Sequence, residues 1–189
     1  MISLLVCLGN PGDEYVKTRH NVGFLFADKL VSEKGGRFAK QARCNSEVSR
    51  INIGGNNLHV IKPQTFMNKS GHSVACYAKY YNIQPDEILI VHDDLDLEPG
   101  QVRFKKSGGH GGHNGLRDVF NQLSSREFYR LRIGIGHPGD KNRVADFVLS
   151  SAGNAEQALI DESIQKGLSQ IDGIVLEQYD QITKFLHSS

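Results

Sequence analysis

No stretch of this chain approaches the run of about 18 apolar residues that a membrane span needs, so none of it is expected to cross a bilayer. Met1 to Leu8 has neither a basic leader region nor a small-residue cleavage site. A cytoplasmic protein is therefore expected, and the formal sequon Asn68-Lys69-Ser70 carries no meaning without secretion. Cysteine is scarce: Cys7, Cys44 and Cys76 are an odd number at wide spacing with no Cys-x-x-Cys, which supports neither a disulfide framework nor a zinc finger. No serine sits in a G-x-S-x-G elbow and no cysteine has an activating neighbour, so a covalent nucleophile is not indicated. There is no internal repeat, low-complexity tract or long linker. Neither sign of charge dominates, with 22 Lys+Arg against 21 Asp+Glu, and 39% of residues are hydrophobic, as in an ordinary globular chain. One domain spanning residues 1–189 is expected.

The near-neutral total hides an asymmetry. Between Gln101 and Arg143 there are nine basic residues (103, 105, 106, 117, 126, 130, 132, 141, 143) against three acids (118, 127, 140), a local net of +6 that leaves −5 for the rest. Such a block suits one face that meets phosphate. A solvated face balanced by neighbouring acids accounts for the same count equally well.

The hydrophobic pattern alternates strand and helix. Ile2 to Leu8 is a nearly continuous apolar run, as in a strand covered on both faces, and Gly9-Asn10-Pro11-Gly12 ends it with turn chemistry. Asn21 reads as an N-cap, followed by Val22, Leu25, Phe26 and Leu30 at helical spacing until Gly35-Gly36. Val48–Ile53 and Leu58–Lys62 read as two strands around the turn at residues 54–57, and Ser70–Tyr81 as a helix. Glu87–His92 is apolar enough for a central strand. Gln101–Lys105 alternates, with Val102 and Phe104 on a buried face. A short helix spans Asn114–Leu123. Phe128–Ile135 alternates again, with Leu131, Ile133 and Ile135 inward and Arg130 and Arg132 on the other face. From about Asn154, Leu159, Ile160, Ile164, Leu168 and Ile171 recur at helical spacing. This predicts an α/β fold: a single domain with a twisted mixed, mostly parallel β-sheet flanked by helices.

In open α/β sheets the ligand groove lies beyond the carboxyl ends of the strands. Asn10 follows the first strand, Asp93 follows the central one, and His20 lies in the loop after Asn10. A histidine with a pKa of about 6.5 is the usual general base, and a carboxylate accepting from its other nitrogen would set its tautomer. A surface histidine and a solvated acidic turn at Asp93, Asp94 and Asp96 are the plain alternatives. The carboxamides Asn10, Asn68 and Asn114 can both donate and accept, which suits gripping a peptide or steadying a carbonyl oxygen. Together these outline water-mediated acyl transfer. Metal readings are weaker: His92-Asp93 and His110-Gly-Gly-His113 lack strong ligand spacing, and Asp94-x-Asp96-x-Glu98 has Pro99 where a calcium loop needs glycine. Gly134-Ile135-Gly136-His137-Pro138-Gly139 does not open an apolar helix. The loop 107–115 lacks the lysine and hydroxyl of a P-loop, but it lets a substrate lie close to backbone amides.

Taken together, several ordered segments closely resemble the bacterial peptidyl-tRNA hydrolase family. They are Leu8-Gly9-Asn10-Pro11-Gly12 with Tyr15 and Arg19-His20-Asn21, Pro63 to Gly71, His92 to Asp96, Gly109 to Gly115 and Arg130 to Gly136. The resemblance implies a metal-independent, cofactor-free esterase, a monomer, that cleaves the ester between a peptide and the 3′ ribose of tRNA and so recycles stalled peptidyl-tRNA. It implies that His20 activates water, that Asp93 orients it, and that Asn10 positions the substrate and distinguishes an N-blocked aminoacyl group from a free amine. Asn68 and Asn114 would hold the peptide and the tRNA end, with Tyr15, Phe66 and Met67 lining the groove and His113 among the substrate-binding residues. Lys105 and Arg132 match a basic pair that grips the tRNA 5′-phosphate. A noncatalytic RNA-binding module and a metal-dependent phosphohydrolase centred on His92-Asp93 are the competing readings.

Overall fold

The computed structural model describes residues 1–188. Its strands are β1 (Leu4–Cys7), β2 (Ala39–Gln41), β3 (Ser46–Ile53), β4 (Asn56–Pro63), β5 (Ile88–Asp94), β6 (Val102–Lys106) and β7 (Tyr129–Gly134). Its helices are α1 (Val22–Glu33), α2 (Ser70–Tyr80), α3 (Asn114–Leu123), α4 (Val144–Val148), α5 (Asn154–Val175) and α6 (Tyr179–His187). All seven strands form one mixed sheet in the order β2-β3-β4-β1-β5-β7-β6. The four central strands are parallel, and β2, β3 and β6 pair antiparallel at the edges. Parallel strands need helical crossovers on both faces, which explains the unbroken apolar runs of β1 and β5. Leu5 and Cys7 join a core with α1, α5 and α6, while Leu4, Val6 and Leu8 join a second core with α2 and α3.

Element types follow the hydrophobic periods, and the corrections come where tertiary contacts override them. Asn21 stands at the N-cap of α1 but makes no capping bond. Its carboxamide instead accepts from the Asn10 backbone N–H and donates to the Asn10 carbonyl, both at 2.9 Å. Arg130, expected on the face opposite the inward Leu131, Ile133 and Ile135, is itself buried. Its guanidinium donates to the carbonyls of Gly109 (2.5 Å) and Gly108 (2.6 Å) and lies over Phe120 and Phe128. The expectation against disulfides is also overturned. Cys44 and Cys76, 32 residues apart, form a bridge, because α2 packs against the turn that enters β3 and brings their Cα atoms within 5.5 Å. Ser46 and Ser73 hydrogen-bond beside it. The three-residue strand β2 and the short helix α4 carry no periodic signal, and the hydrophobic pattern does not predict them.

The chain leaves β1 toward α1 and the β4 side of the sheet, and leaves β5 toward β7 on the other. The segments after β1, β4 and β5 therefore meet at one carboxyl edge, as a topological switch point requires. Close packing of α2 on α3 brings the loops before these helices to the same edge. A Cβ at Gly71 would overlap the backbone carbonyl of Asp118, so only glycine permits this approach. Gly71→Ala should destabilise the protein by about 1–3 kcal/mol, since backbone cannot swing aside as a side chain can. Urea unfolding checks this, and a change within error would show that the helix pair can separate freely.

Candidate active site

Asp93 is the buried centre of the rim. Its Oδ2 lies 2.8 Å from His20 Nδ1 and its Oδ1 lies 2.9 Å from His113 Nε2. His20 sits on the 3₁₀ turn Arg19–Asn21, immediately before α1. That turn is anchored from both sides. Arg19, itself buried, donates to the Phe147 carbonyl (3.1 Å) and Ser150 Oγ (2.6 Å), pairs with Glu156 (3.0 Å) and stacks on the Phe147 ring. Asn21 ties the turn to Asn10, and Asn10 Oδ1 accepts from the Met67 N–H at 2.7 Å. The loops after β1 and β4 are thereby joined through one carboxamide, whose Nδ2 remains available as a donor.

A cavity of about 440 Å³ contains His20, Asp93, His113 and Asn114, together with Lys105 and Arg132. Tyr15, Phe66, Met67, Asn68 and Asn10 lie outside it. Tyr15 and the exposed Phe66 form an edge-to-face pair with centroids 6.4 Å apart, and Asn68 is exposed. Asn10 lines a separate hollow of about 290 Å³ with Lys62 and Asp28. Within the larger cavity Arg132 Nε donates to Asp94 Oδ2 at 2.7 Å. Burial and then the charges of Arg132 and Arg130 lower the pKa of Lys105, against the opposing charge of Asp94. Lys141, which sequence marks only as one member of the diffuse basic block, also lines this cavity. So does His92, whose role sequence does not separate from that of Asp93.

His20, Asp93 and His113 present three potential ligand atoms within 4.8 Å of one another. His20 Nδ1 and His113 Nε2 are each already paired with an oxygen of Asp93. His92 donates from Nδ1 to the Asp93 carbonyl at 2.8 Å and stands apart from the carboxylate. The free thiol, Cys7, is fully buried and burial pushes its pKa up, so it is no nucleophile.

Burial alone would strip the proton from His20, but the charge of Asp93 and its hydrogen bond outweigh burial and raise the pKa above 6.5. Burial would favour protonated Asp93, but the charge of His20 and the hydrogen bonds from both histidines hold the carboxyl well below the usual range.

A single-sheet α/β enzyme with a buried His–Asp pair on its carboxyl edge is what these observations define. Comparison with known proteins places it more narrowly. The family model described as peptidyl-tRNA hydrolase matches residues 4–189. The peptidyl-tRNA hydrolase of Neisseria meningitidis is 44% identical over 187 residues, covering 99% of this chain and 97% of the relative. That of Proteus mirabilis is 46% identical over 188 residues, with coverage of 99% and 97%. The crystal structure of peptidyl-tRNA hydrolase from Acinetobacter baumannii superposes with a TM-score of 0.94 at 46% identity, covering 97% of this chain and 93% of that one. The chain belongs to the peptidyl-tRNA hydrolase family and is an enzyme of that family. A purine nucleoside phosphorylase from Toxoplasma gondii, 8% identical with a TM-score of 0.52 and coverage of 91% and 90%, shares the fold alone.

The shifts at His20 and Asp93 have opposite consequences for stability. A histidine with a raised folded pKa stabilises below its unfolded value of about 6.5, and that contribution is lost as pH rises through the folded value. An aspartate with a depressed folded pKa stabilises above its unfolded value of about 4, and loses that as pH falls. Asp93→Asn removes both contributions. The stability gap between the two proteins in urea should be wider at about pH 5.5 than at about pH 8.5, and should narrow again in strong acid. A gap independent of pH would mean the pair is not coupled.

Proposed function

We propose that this enzyme hydrolyses the ester joining a peptide, or an N-blocked aminoacyl group, to the 3′ end of tRNA, using water activated by His20 and neither a metal nor a covalent intermediate. The observation that carries the reading is the polarity of the His20–Asp93 bond. Nδ1 donates to Asp93, which leaves Nε2 as the basic nitrogen of the neutral ring. Nε2 takes a proton from water, and the hydroxide so formed adds to the ester carbonyl. The resulting imidazolium returns the proton to the departing ribose 3′ oxygen. Asp93 stabilises the imidazolium while it exists. A metal bridging His20, Asp93 and His113 would have to break both hydrogen bonds that order them.

Substrate contacts follow from the same map. Asn10 Nδ2, Asn68 and Asn114 offer carboxamides to the peptide and the tRNA end, and Tyr15, Phe66 and Met67 offer apolar surface beside them. Lys105 and Arg132 take the 5′-phosphate of the acceptor end, where an anion relieves the repulsion among Lys105, Arg130 and Arg132 that Asp94 only partly offsets. On this reading the enzyme acts as a cytoplasmic monomer.

With N-acetylaminoacyl-tRNA in EDTA, the wild-type protein should release the acyl group. His20→Ala should lose on the order of 10²–10⁴ in rate with tRNA affinity nearly intact. The acid limb of the wild-type profile should lie above pH 6.5, in keeping with the raised pKa of His20. Activity abolished by EDTA would indicate a metalloenzyme, tRNA binding without cleavage would indicate a binding module, and near-normal turnover in His20→Ala would remove that residue from the mechanism.

The phosphate contact is tested separately. Lys105→Ala or Arg132→Ala should weaken binding of 5′-phosphorylated tRNA but cost little on dephosphorylated tRNA, with a coupling of about 0.5–3 kcal/mol. Each variant should also flatten the dependence of log affinity on log salt by about 0.7–0.9 for each phosphate it no longer neutralises. The exposed Arg143, outside the cavity, is the control. Additive losses with no dependence on the 5′-phosphate would leave only diffuse attraction.

A further inference from the structure

Both oxygens of Asp93 are engaged, and the second bond has a direction that the sequence does not show. His113 is the N-cap of α3, where its Nδ1 accepts from the Gly115 and Leu116 N–H groups at 3.1 and 3.2 Å. A nitrogen that accepts two hydrogen bonds holds no proton, so the neutral ring carries its proton on Nε2 and donates it to Asp93 Oδ1 at 2.9 Å. Helix N-termini leave their first N–H groups unpartnered, and small oxygen-bearing side chains usually cap them. Here an imidazole does so, and the helix sets its tautomer. Residue 115 permits it. A Cβ there would lie 3.0 Å from His113 Cε1, 3.2 Å from Nδ1 and 2.6 Å from Met67 Sδ, so glycine makes the room the ring occupies.

We propose that His113 is a positioning residue: held in one tautomer by the N-terminus of α3, it donates a fixed neutral hydrogen bond that orients Asp93 and limits how firmly Asp93 retains the proton on His20. The proposal rests on His20 being the base. A carboxylate that already accepts from one donor is a weaker partner for another, so His20 is less firmly protonated than it would be opposite Asp93 alone. A general base must be neutral to accept a proton, so this tempering keeps it in use at lower pH. The other groups facing the cluster do not take over the task. His92 from β5 lies edge-on to His113 with centroids 5.3 Å apart, and burial lowers its pKa to about 4. Asp94, Asp96, Lys105, His110, Arg130, Arg132 and Lys141 line the same cavity, and no hydrogen bond links any of them to His20 or to the Asp93 carboxylate among the described residues.

Two substitutions separate the cap from the donor. His113→Asn keeps a side-chain oxygen suited to the cap and loses the donor to Asp93. His113→Gln supplies an amide donor with longer reach and caps poorly. The readout is the NMR titration of His20 in the full chain, beside the pH profile of kcat/KM. In His113→Asn, His20 should titrate at higher pH than in the wild type, with the acid limb moving by the same amount. Each unit of displacement costs about tenfold in rate below the limb. In His113→Gln the titration should return toward the wild-type value while Tm falls. An unchanged His20 titration in folded His113→Asn, or a Gln variant that titrates with Asn instead of with the wild type, would reduce His113 to a helix cap. Because the titration is read without turnover, its outcome is distinct from an active His20→Ala enzyme, which would defeat the base assignment itself.

Discussion

A carboxylate taken out of water at the end of a central strand is costly unless its oxygens are met by donors or positive charge. Asp93 is in that position, and much of the rim is arranged around satisfying it. Its two histidines arrive from different parts of the chain: His20 from the turn before α1 and His113 from the first turn of α3. Each needs its own support. Arg19 fastens the His20 turn to residues 147–156, and the amides of α3 hold His113. A buried polar network of this kind is favourable only when every member is paired, which makes the segments that carry it mutually dependent.

The second set of polar contacts joins loops to loops. Asn21 grips the backbone of Asn10, and Asn10 grips the backbone of Met67, so the turn after β1, the His20 turn and the loop after β4 keep a common register. Arg130 performs the equivalent task for the glycine-rich loop, holding the carbonyls of Gly108 and Gly109 so that a flexible segment has a defined path beside the cavity. This divides the basic block by function. Arg130 is occupied with the protein's own backbone, whereas Lys105 and Arg132 retain donors within the cavity.

Most elements were legible because hydrophobic period reports burial directly. The continuous runs of β1 and β5 require cover on both faces, and the alternation of Val102 and Phe104 in β6 requires cover on one. Leu159, which shares the helical spacing of Ile160, Ile164, Leu168 and Ile171, is exposed, because α5 turns only one stripe of its surface to the core. The misreadings share a cause. The Cys44–Cys76 bridge, the burial of Arg130 and the release of Asn21 from capping all depend on a partner more than ten residues away, and local pattern carries no record of such a partner.

The same boundary runs through the site. Residue type and turn chemistry raise His20, Asp93 and the asparagines only as candidates beside plain structural alternatives, because few side chains can act as a base near neutral pH or both donate and accept, and because loops at strand ends are where such groups gather. The order of motifs was enough to indicate the family. Which nitrogen of His113 carries its proton, that this proton is directed at Asp93, and that Asn10 shares a cavity with Lys62 and not with His20 were settled only by folding. Hydrogen-bond direction depends on what lies at both ends of a side chain, and for these residues the two ends meet segments that are brought together only when α2 and α3 pack beneath the sheet.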